Sequence, residues 1–309
     1  MDTQKILATQ RKSFVRCPRG LWPTVLDFLA DRFAAQGRDA WVGRMQAGLV
    51  CDENGAALDL HAAYVPGRLL SYFRQADDEA PAAGEVRIVY QDAHLLIADK
   101  PHFMPVTPSG QVVNGALLNV LALVTGELDL QPLHRIDSDT AGLVAFGLRK
   151  QDRAAYHALF SQRRIHKSYL AITQTPTKPL PAERISRIEP DPAHFMRMHE
   201  VDGPANAHTR IALLQEMDGL ALWRLEPITG KRHQLRVHLN ALGLPLCNDG
   251  IYPVLTPARQ PHAAWPEPLQ LLAAQLEFVD PITGLSHSFL TRQHLKLSVA
   301  TSTNDCIAN

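Results

Sequence analysis

Cysteine is scarce in this chain. Four stand among 309 residues, Cys17, Cys51, Cys247 and Cys306, far apart and with no Cys-x-x-Cys pair, which argues against a disulfide framework and a zinc site. Long apolar runs are missing as well. Hydrophobic residues make up 46% of the chain, but charges and prolines interrupt them everywhere, so no stretch reaches the length that spans a bilayer. The amino end, Met1-Asp2-Thr3-Gln4-Lys5, lacks the apolar core of a secretory signal, and the cytoplasm is the expected location. The sequence has no glycine-rich phosphate loop, which argues against an ATP- or NAD-dependent enzyme. No carboxylate or cysteine completes a convincing metal set around His134, His233 and His238, so neither metal nor cofactor is expected.

An excess of charge of one sign is also absent, with 31 Lys and Arg against 31 Asp and Glu. Neutrality is the feature least suited to binding a polyanion. The distribution is uneven, however. Basic residues gather at Lys5, Arg11, Lys12, Arg16 and Arg19, from Arg149 through Arg163 and Arg164 to Lys167, and in Arg224, Lys231, Arg232 and Arg236. Acids collect in Asp77, Asp78, Glu79 and Glu85 of a linker and in Glu183, Glu189, Asp191, Glu200 and Asp202 of a Pro-rich insertion. Arg149 to Arg153 alone reads as a solvated face, but three patches beside the motifs below read as an electrostatic footprint.

What the chain does have is His134-Arg135-Ile136-Asp137-Ser138-Asp139-Thr140-Ala141-Gly142-Leu143-Val144-Ala145-Phe146, a charged loop opening into an apolar strand. Asp137 follows a cation, Arg135, which favours its ionised form and suits a nucleophile better than a proton donor. Taken alone, the loop reads better as an Asx turn whose side chain only satisfies backbone groups.

The run resembles the catalytic motif of the RluA-type pseudouridine synthases, usually His-Arg-Leu-Asp-x-x-Thr-Ser-Gly-Leu. Three further segments match in order. Asp99-Lys100-Pro101-His102-Phe103-Met104-Pro105-Val106 resembles Lys-Pro-x-Gly-x-x-Val, with His102 and Phe103 where glycine is expected. Lys167-Ser168-Tyr169-Leu170-Ala171 resembles Lys-x-Tyr-x-Ala. Gly230-Lys231-Arg232-His233-Gln234-Leu235-Arg236-Val237-His238, continued by Leu244-Pro245-Leu246-Cys247-Asn248-Asp249, resembles Gly-Arg-x-His-Gln-Ile-Arg-Val-His and Pro-Ile-x-Gly-Asp. Four collinear matches are hard to obtain by chance.

The resemblance implies isomerisation of uridine within RNA, most readily ribosomal RNA, with transfer RNA as the second substrate class. It implies Asp137 as the essential carboxylate, Arg236 as its partner and Tyr169 as the aromatic beneath the target base. Arg135 fills the gap left by the displaced base, while Lys100, Lys167, Lys231 and His233 contact substrate or support the site. Two rivals stand beside this reading. A non-catalytic RNA-binding member of the family fits the neutral charge, and a glycoside hydrolase would need a second acid opposite Asp137.

The expected architecture is α+β, a mixed and mainly antiparallel sheet over residues 86–300, preceded by a small helix-rich domain over 1–85 with its acidic linker and followed by a frayed tail, 301–309. Thr24 is read as capping a helix that ends near Gly37. A second helix from Asp39 to Ala47, a strand at Gly48 to Cys51 and a return strand from Val65 to Tyr72 follow. This pattern resembles the small RNA-binding domain of ribosomal small-subunit protein four, with Arg32, Arg38 and Arg44 as candidate phosphate contacts.

Overall fold

Thr24 caps the first helix. Its Oγ1 accepts the Asp27 N–H at 3.1 Å while the Asp27 carboxylate accepts the Thr24 N–H at 3.2 Å, a capping box that satisfies two donors at the helix start. In this computed structural model, which describes residues 13–72, 84–109, 112, 114–257 and 264–295, the chain divides into two units, Met1–Glu79 and Ala80–Asn309. The expected linker, apart from Gly84 and Glu85, the tail, and Lys5, Arg11 and Lys12 lie outside the described residues.

The first unit runs β1 (Ser13–Arg16), α1 (Val25–Arg32), α2 (Arg38–Gln46), β2 (Val50–Cys51) and β3 (Leu69–Tyr72), with the strands antiparallel in the order β1-β3-β2. The return strand is shorter than its apolar run suggests, because Gly67, at φ +86°, turns the chain just before it. Phe28, Trp41 and Tyr72 fill the core. Arg44 is no phosphate contact here: it is buried, its guanidinium lies 4.6 Å from the Trp41 ring, and it donates to Gln36 Oε1 at 2.8 Å. Arg38 pairs with Asp27 at 2.8 Å.

The second unit comprises β4 (Arg87–Gln91), β5 (Leu95–Lys100), α3 (Leu117–Thr125), β6 (Gln131–Pro132), β7 (Ala141–Gly147), α4 (Arg153–Ser161), β8 (His166–Gln174), β9 (Glu183–Pro190), β10 (Met198–Val201), β11 (Ala207–Met217), β12 (Leu220–Pro227), α5 (Gln234–Ala241), β13 (Leu271–Val279) and β14 (Ser286–Leu290). It is α+β, one mixed sheet in the order β10-β9-β11-β12-β8-β13-β7-β5-β4, with β14 on β13 and β6 on β7. Only the β13–β7 pair is parallel among the described pairings. The segment expected as a Pro-rich insertion instead extends the sheet as β9 and β10. Its alternation is masked by charge because Arg184, Arg187 and Glu189 on β9 and Glu200 on the edge strand β10 pair with one another.

Alternating side chains of β5 and β7 feed two separate cores. Leu95, Ile97, Leu143 and Ala145 pack under Tyr156 and Leu159 of α4, whereas Leu96, Ala98, Val144 and Phe146 pack under Leu117, Leu118 and Leu121 of α3. Helices cover both faces, so these strands read as continuous apolar runs. On the other half of the sheet, Leu235 and Leu239 anchor α5 against Ala171, Trp223 and Leu271.

Gly142 marks the junction of the two halves. It sits at φ +109° opposite Ala273 of β13, and a Cβ added there would lie 2.2 Å from the Ala273 carbonyl oxygen. Gly142→Ala therefore forces β7 and β13 apart. The expected cost is about 3 kcal/mol or more, read as a lower urea midpoint for the second unit; an unchanged midpoint would show that this close approach does not hold the sheet together.

Candidate active site

The loop from His134 to Thr140 joins β6 to β7, and its backbone is held from several directions. His134 Nε2 accepts the Ala145 N–H at 3.1 Å, its ring stacks on Phe160, and burial pushes its pKa down to about 3, so this histidine is a neutral structural acceptor. Ile136 packs against the α3 core. Thr140 N–H closes a turn on the Asp137 carbonyl at 3.2 Å. Lys100, at the end of β5, is fully buried, and its Nζ donates to the carbonyls of Pro101, Met104 and Ser138 at 2.9, 2.7 and 3.0 Å. His102 Nδ1 donates to the Asp139 carbonyl at 2.6 Å. The following Phe103 takes φ +62°, a left-handed conformation that suits the glycine usual in this motif, and its ring stacks on Trp265 at 4.9 Å.

Around this loop the charges converge on Arg236. It lies on α5 with 1% of its side chain exposed, and its Nε and Nη2 grip Asp249 at 2.9 and 2.6 Å. Its Nη1 reaches Asp137 Oδ2 at 3.2 Å, and Nη2 lies 3.6 Å from Asp139. Burial opposes the charge, but the hydrogen bonds and charge of Asp249, with Asp137 and Asp139, more than offset it, and the pKa is raised above the ordinary arginine value. Asp249 also accepts the Ile251 and Tyr252 N–H groups, which fixes the turn that carries it.

His233 precedes the helix at φ +55°, with Nε2 3.9 Å from Asp137 Oδ1 and Nδ1 hydrogen-bonded to the Tyr252 hydroxyl at 3.0 Å. Burial lowers its pKa against the opposing pull of Asp137. Gln234 ties the preceding turn to β11 through Thr229, the Lys231 N–H, the His208 carbonyl and Thr209. Tyr169, on β8, is held as the protonated phenol, first by burial and then by the charge of Asp137.

These groups open onto a cleft of about 1190 Å³ lined by Asp137, Tyr169, Arg236 and His233, with Arg135, Arg163, Lys167, Lys231 and Arg232 as further cations. Of the carboxylates around Arg236, Asp137 alone lines it. Arg135 is exposed at the rim, as is Lys231. Lys167 donates to the Thr229 carbonyl at 3.5 Å, and burial lowers its pKa to about 8. The expectation of RNA contact by Lys100 needs correction: every one of its donors faces a backbone carbonyl inside the protein, so its place is in supporting the loop. Sequence reasoning also undervalued Asp249, placed in a family turn and not seen as the main partner of Arg236. It gave no role to His102, which holds the Asp139 carbonyl, and missed Tyr252, which holds His233, as well as the exposed Phe195 and Met196 of the β9–β10 turn, which line the cleft. The buried acid of the Leu244 to Asp249 segment was the available signal for the first; nothing in sequence spacing brings the others to the site.

The family model described as RNA pseudouridylate synthase matches residues 94–241. An uncharacterized RNA pseudouridine synthase of Synechocystis is 28% identical over 74% of this chain and 79% of its own length. Another of Haemophilus influenzae is 30% identical over 54% of this chain and 74% of its own. The ribosomal large subunit pseudouridine synthase D of Nitrosomonas europaea is 30% identical over 64% of this chain, which spans 59% of that protein. Among solved structures, human RNA pseudouridylate synthase domain containing 1 superposes with a TM-score of 0.55 at 20% identity, covering 70% of this chain and 86% of that one, a likeness of fold.

Burial lowers the Lys100 pKa from its ordinary 10.5 to about 7, against the attraction of Asp139 and Asp137. Between these values the unfolded lysine holds a proton that the folded one has released, so this group makes stability rise with pH across that window, by at most about 1.4 kcal/mol per pH unit. Urea titrations of wild type and Lys100→Met at pH 7 and pH 9 check this. The difference between the two should move in favour of wild type at pH 9; parallel changes would show that Lys100 keeps its ordinary affinity for the proton.

Proposed function

Because this chain belongs to the RluA-type family of RNA pseudouridine synthases, isomerases acting on RNA, we propose that its substrate is ribosomal RNA and that Asp137 carries the chemistry. The observation that carries the assignment is that Asp137 is the one carboxylate among the described residues lining the cleft, held there by a buried arginine. Forming pseudouridine breaks the bond from ribose C1′ to uracil N1, makes a bond from C1′ to C5, removes the C5 proton and returns a proton to N1. No electrons leave the uridine. The sugar passes through an electron-poor state that a fixed carboxylate stabilises, either by attack or by charge.

Arg236 orients that carboxylate, and its own charge is committed to Asp249. Tyr169, kept as the phenol, offers a ring face and a hydroxyl donor in place of a phenolate base. Arg135, exposed on the catalytic loop, is placed to enter the space left when the uridine leaves its stack, at a cost of a few kcal/mol. Lys231 and Arg163 give the cleft the local positive charge that the neutral chain lacks as a whole. A second groove of about 640 Å³ shares Arg163 and Lys167 with the cleft and adds Arg164 and Arg210 together with Glu226 and Glu277, so the positive charge it offers an RNA backbone is that of the shared residues. The glycoside hydrolase reading loses ground because no second acid among the described residues lines the cleft opposite Asp137. The relatives named for the ribosomal large subunit favour that RNA over transfer RNA. The cytoplasm is the location that goes with this reading.

Incubating purified protein with unmodified ribosomal and transfer RNA, without added cofactor, and mapping pseudouridine chemically tests the reading. Wild type should modify ribosomal RNA, while Asp137→Asn forms no product and keeps its RNA affinity. Product from Asp137→Asn would overturn the role of Asp137, and modification confined to transfer RNA would overturn the substrate.

Arg135→Ala should raise KM for RNA by about tenfold, a loss of roughly 1.4 kcal/mol in productive binding. A normal rate at limiting enzyme and RNA would remove Arg135 from base displacement.

A further inference from the structure

The turn between β9 and β10 carries Phe195 and Met196, 87% and 48% exposed, side by side on the wall of the cleft that holds Asp137. Single exposed apolar residues are ordinary on protein surfaces. These two differ because the protein holds them in place from below. Arg232, at the foot of α5, donates to the carbonyls of Phe195 and Met196 at 3.5 and 3.0 Å, and its guanidinium lies 5.9 Å from the centre of the Phe195 ring. Asp191 braces the turn by accepting the Ala193 N–H at 2.8 Å, and its own N–H donates to the Arg197 carbonyl at 3.1 Å. The Tyr252 hydroxyl then ties Met198 N and O, at 2.8 and 3.1 Å, to His233 beside Asp137.

We propose that Phe195, extended by Met196, is a stacking platform for an unpaired base of the RNA that flanks the target uridine. The inference rests on the RNA reading above and adds a residue that decides how substrate is seated. A base is the occupant the surroundings favour. The same cleft is lined by Arg135, Arg163, Lys167 and Lys231, and the one carboxylate among the described lining residues lies 3.2 Å from Arg236, so the cleft suits a polyanion with aromatic faces better than an apolar protein segment. A cleft of about 1190 Å³ also exceeds the roughly 300–1,000 Å³ that encloses a drug-sized ligand, leaving room for a neighbour beside the displaced uridine. Because Arg232, Asp191 and Tyr252 have already fixed the turn, stacking does not have to order it.

The test compares Phe195→Ala, Phe195→Leu and Phe195→Trp with wild type on transcribed, unmodified large-subunit ribosomal RNA. In turnover, Phe195→Ala should raise KM roughly 5- to 100-fold, the range expected for one base stacked on an aromatic ring, with the loss absent from kcat at saturating RNA. Phe195→Trp should restore KM and Phe195→Leu should not. Binding is measured in parallel by filter retention in an Asp137→Asn background, where the Ala variant should lose affinity for single-stranded polyuridine and keep its affinity for an RNA duplex of equal length. Failure of wild type to make pseudouridine would count against the proposed function and leave the binding comparison to judge Phe195. Unchanged KM and unchanged polyuridine affinity in Phe195→Ala would overturn the platform, and full rescue by leucine would replace stacking with simple apolar contact.

Discussion

A buried guanidinium must have its charge answered within the protein, and Arg236 is answered first by Asp249 and then by Asp137. Removing one member of such a buried pair typically costs about 3–5 kcal/mol, because the survivor is left in a poor solvent for its charge. The planar fork explains why the residue is arginine: two nitrogens bind Asp249 while the third points at Asp137 on its loop, a division of labour that a lysine ammonium could not hold in one geometry. Everything that places α5 thereby places the carboxylate of Asp137. Leu235 and Leu239 seat the helix on β8, β12 and β13, and Gln234 locks its first turn to β11.

Lys100 supports the same loop from the opposite side by a different means. Arginine meets side-chain oxygens, whereas Lys100 gathers main-chain carbonyls from two segments, joining the end of β5 to Ser138. Asp137 therefore belongs to a loop held by two buried basic side chains, Arg236 and Lys100, with β7 leaving immediately afterwards through Gly142 into the centre of the sheet. The placement of Asp137 and the integrity of the sheet share these residues. Such pre-organisation is what an isomerase needs when the chemical step depends on a carboxylate kept close to an electron-poor sugar.

The neutral net charge of the chain is compatible with RNA because acids and bases are segregated. Glu200 and Glu189 neutralise Arg184 and Arg187 on β9 and β10, none of which lines the cleft, while the cleft keeps its cations and a single acid among the described lining residues. The β9–β10 hairpin thus spends its own charges on holding itself together and presents its apolar tip at the cleft. Through Tyr252 and His233 that tip is connected to the residues around Asp137.

Much of this was legible in the order of residues. The α+β class, β5, β7, β8, β11, β12 and β13 and the capped first helix follow from local patterns, since alternation, caps and contiguous motifs act over a few residues, while the pairing of Arg236 with Asp137 was implied by the family resemblance alone. The helix α3 was not legible, because Leu117 to Thr125 is a short, almost uniformly apolar run whose period distinguishes neither helix nor strand. The strands β9 and β10 were hidden because edge-strand charges imitate a loop. Sequence by itself determined which groups are available: one aspartate on a loop, an arginine on a helix, a tyrosine on a strand. Only the tertiary structure decided that Asp249, and not Asp137, is the main partner of Arg236, that Lys100 is sealed inside, and that Phe195 comes to the cleft. Contacts between residues far apart in the chain depend on how packed elements bring them together, and no local spacing encodes that distance.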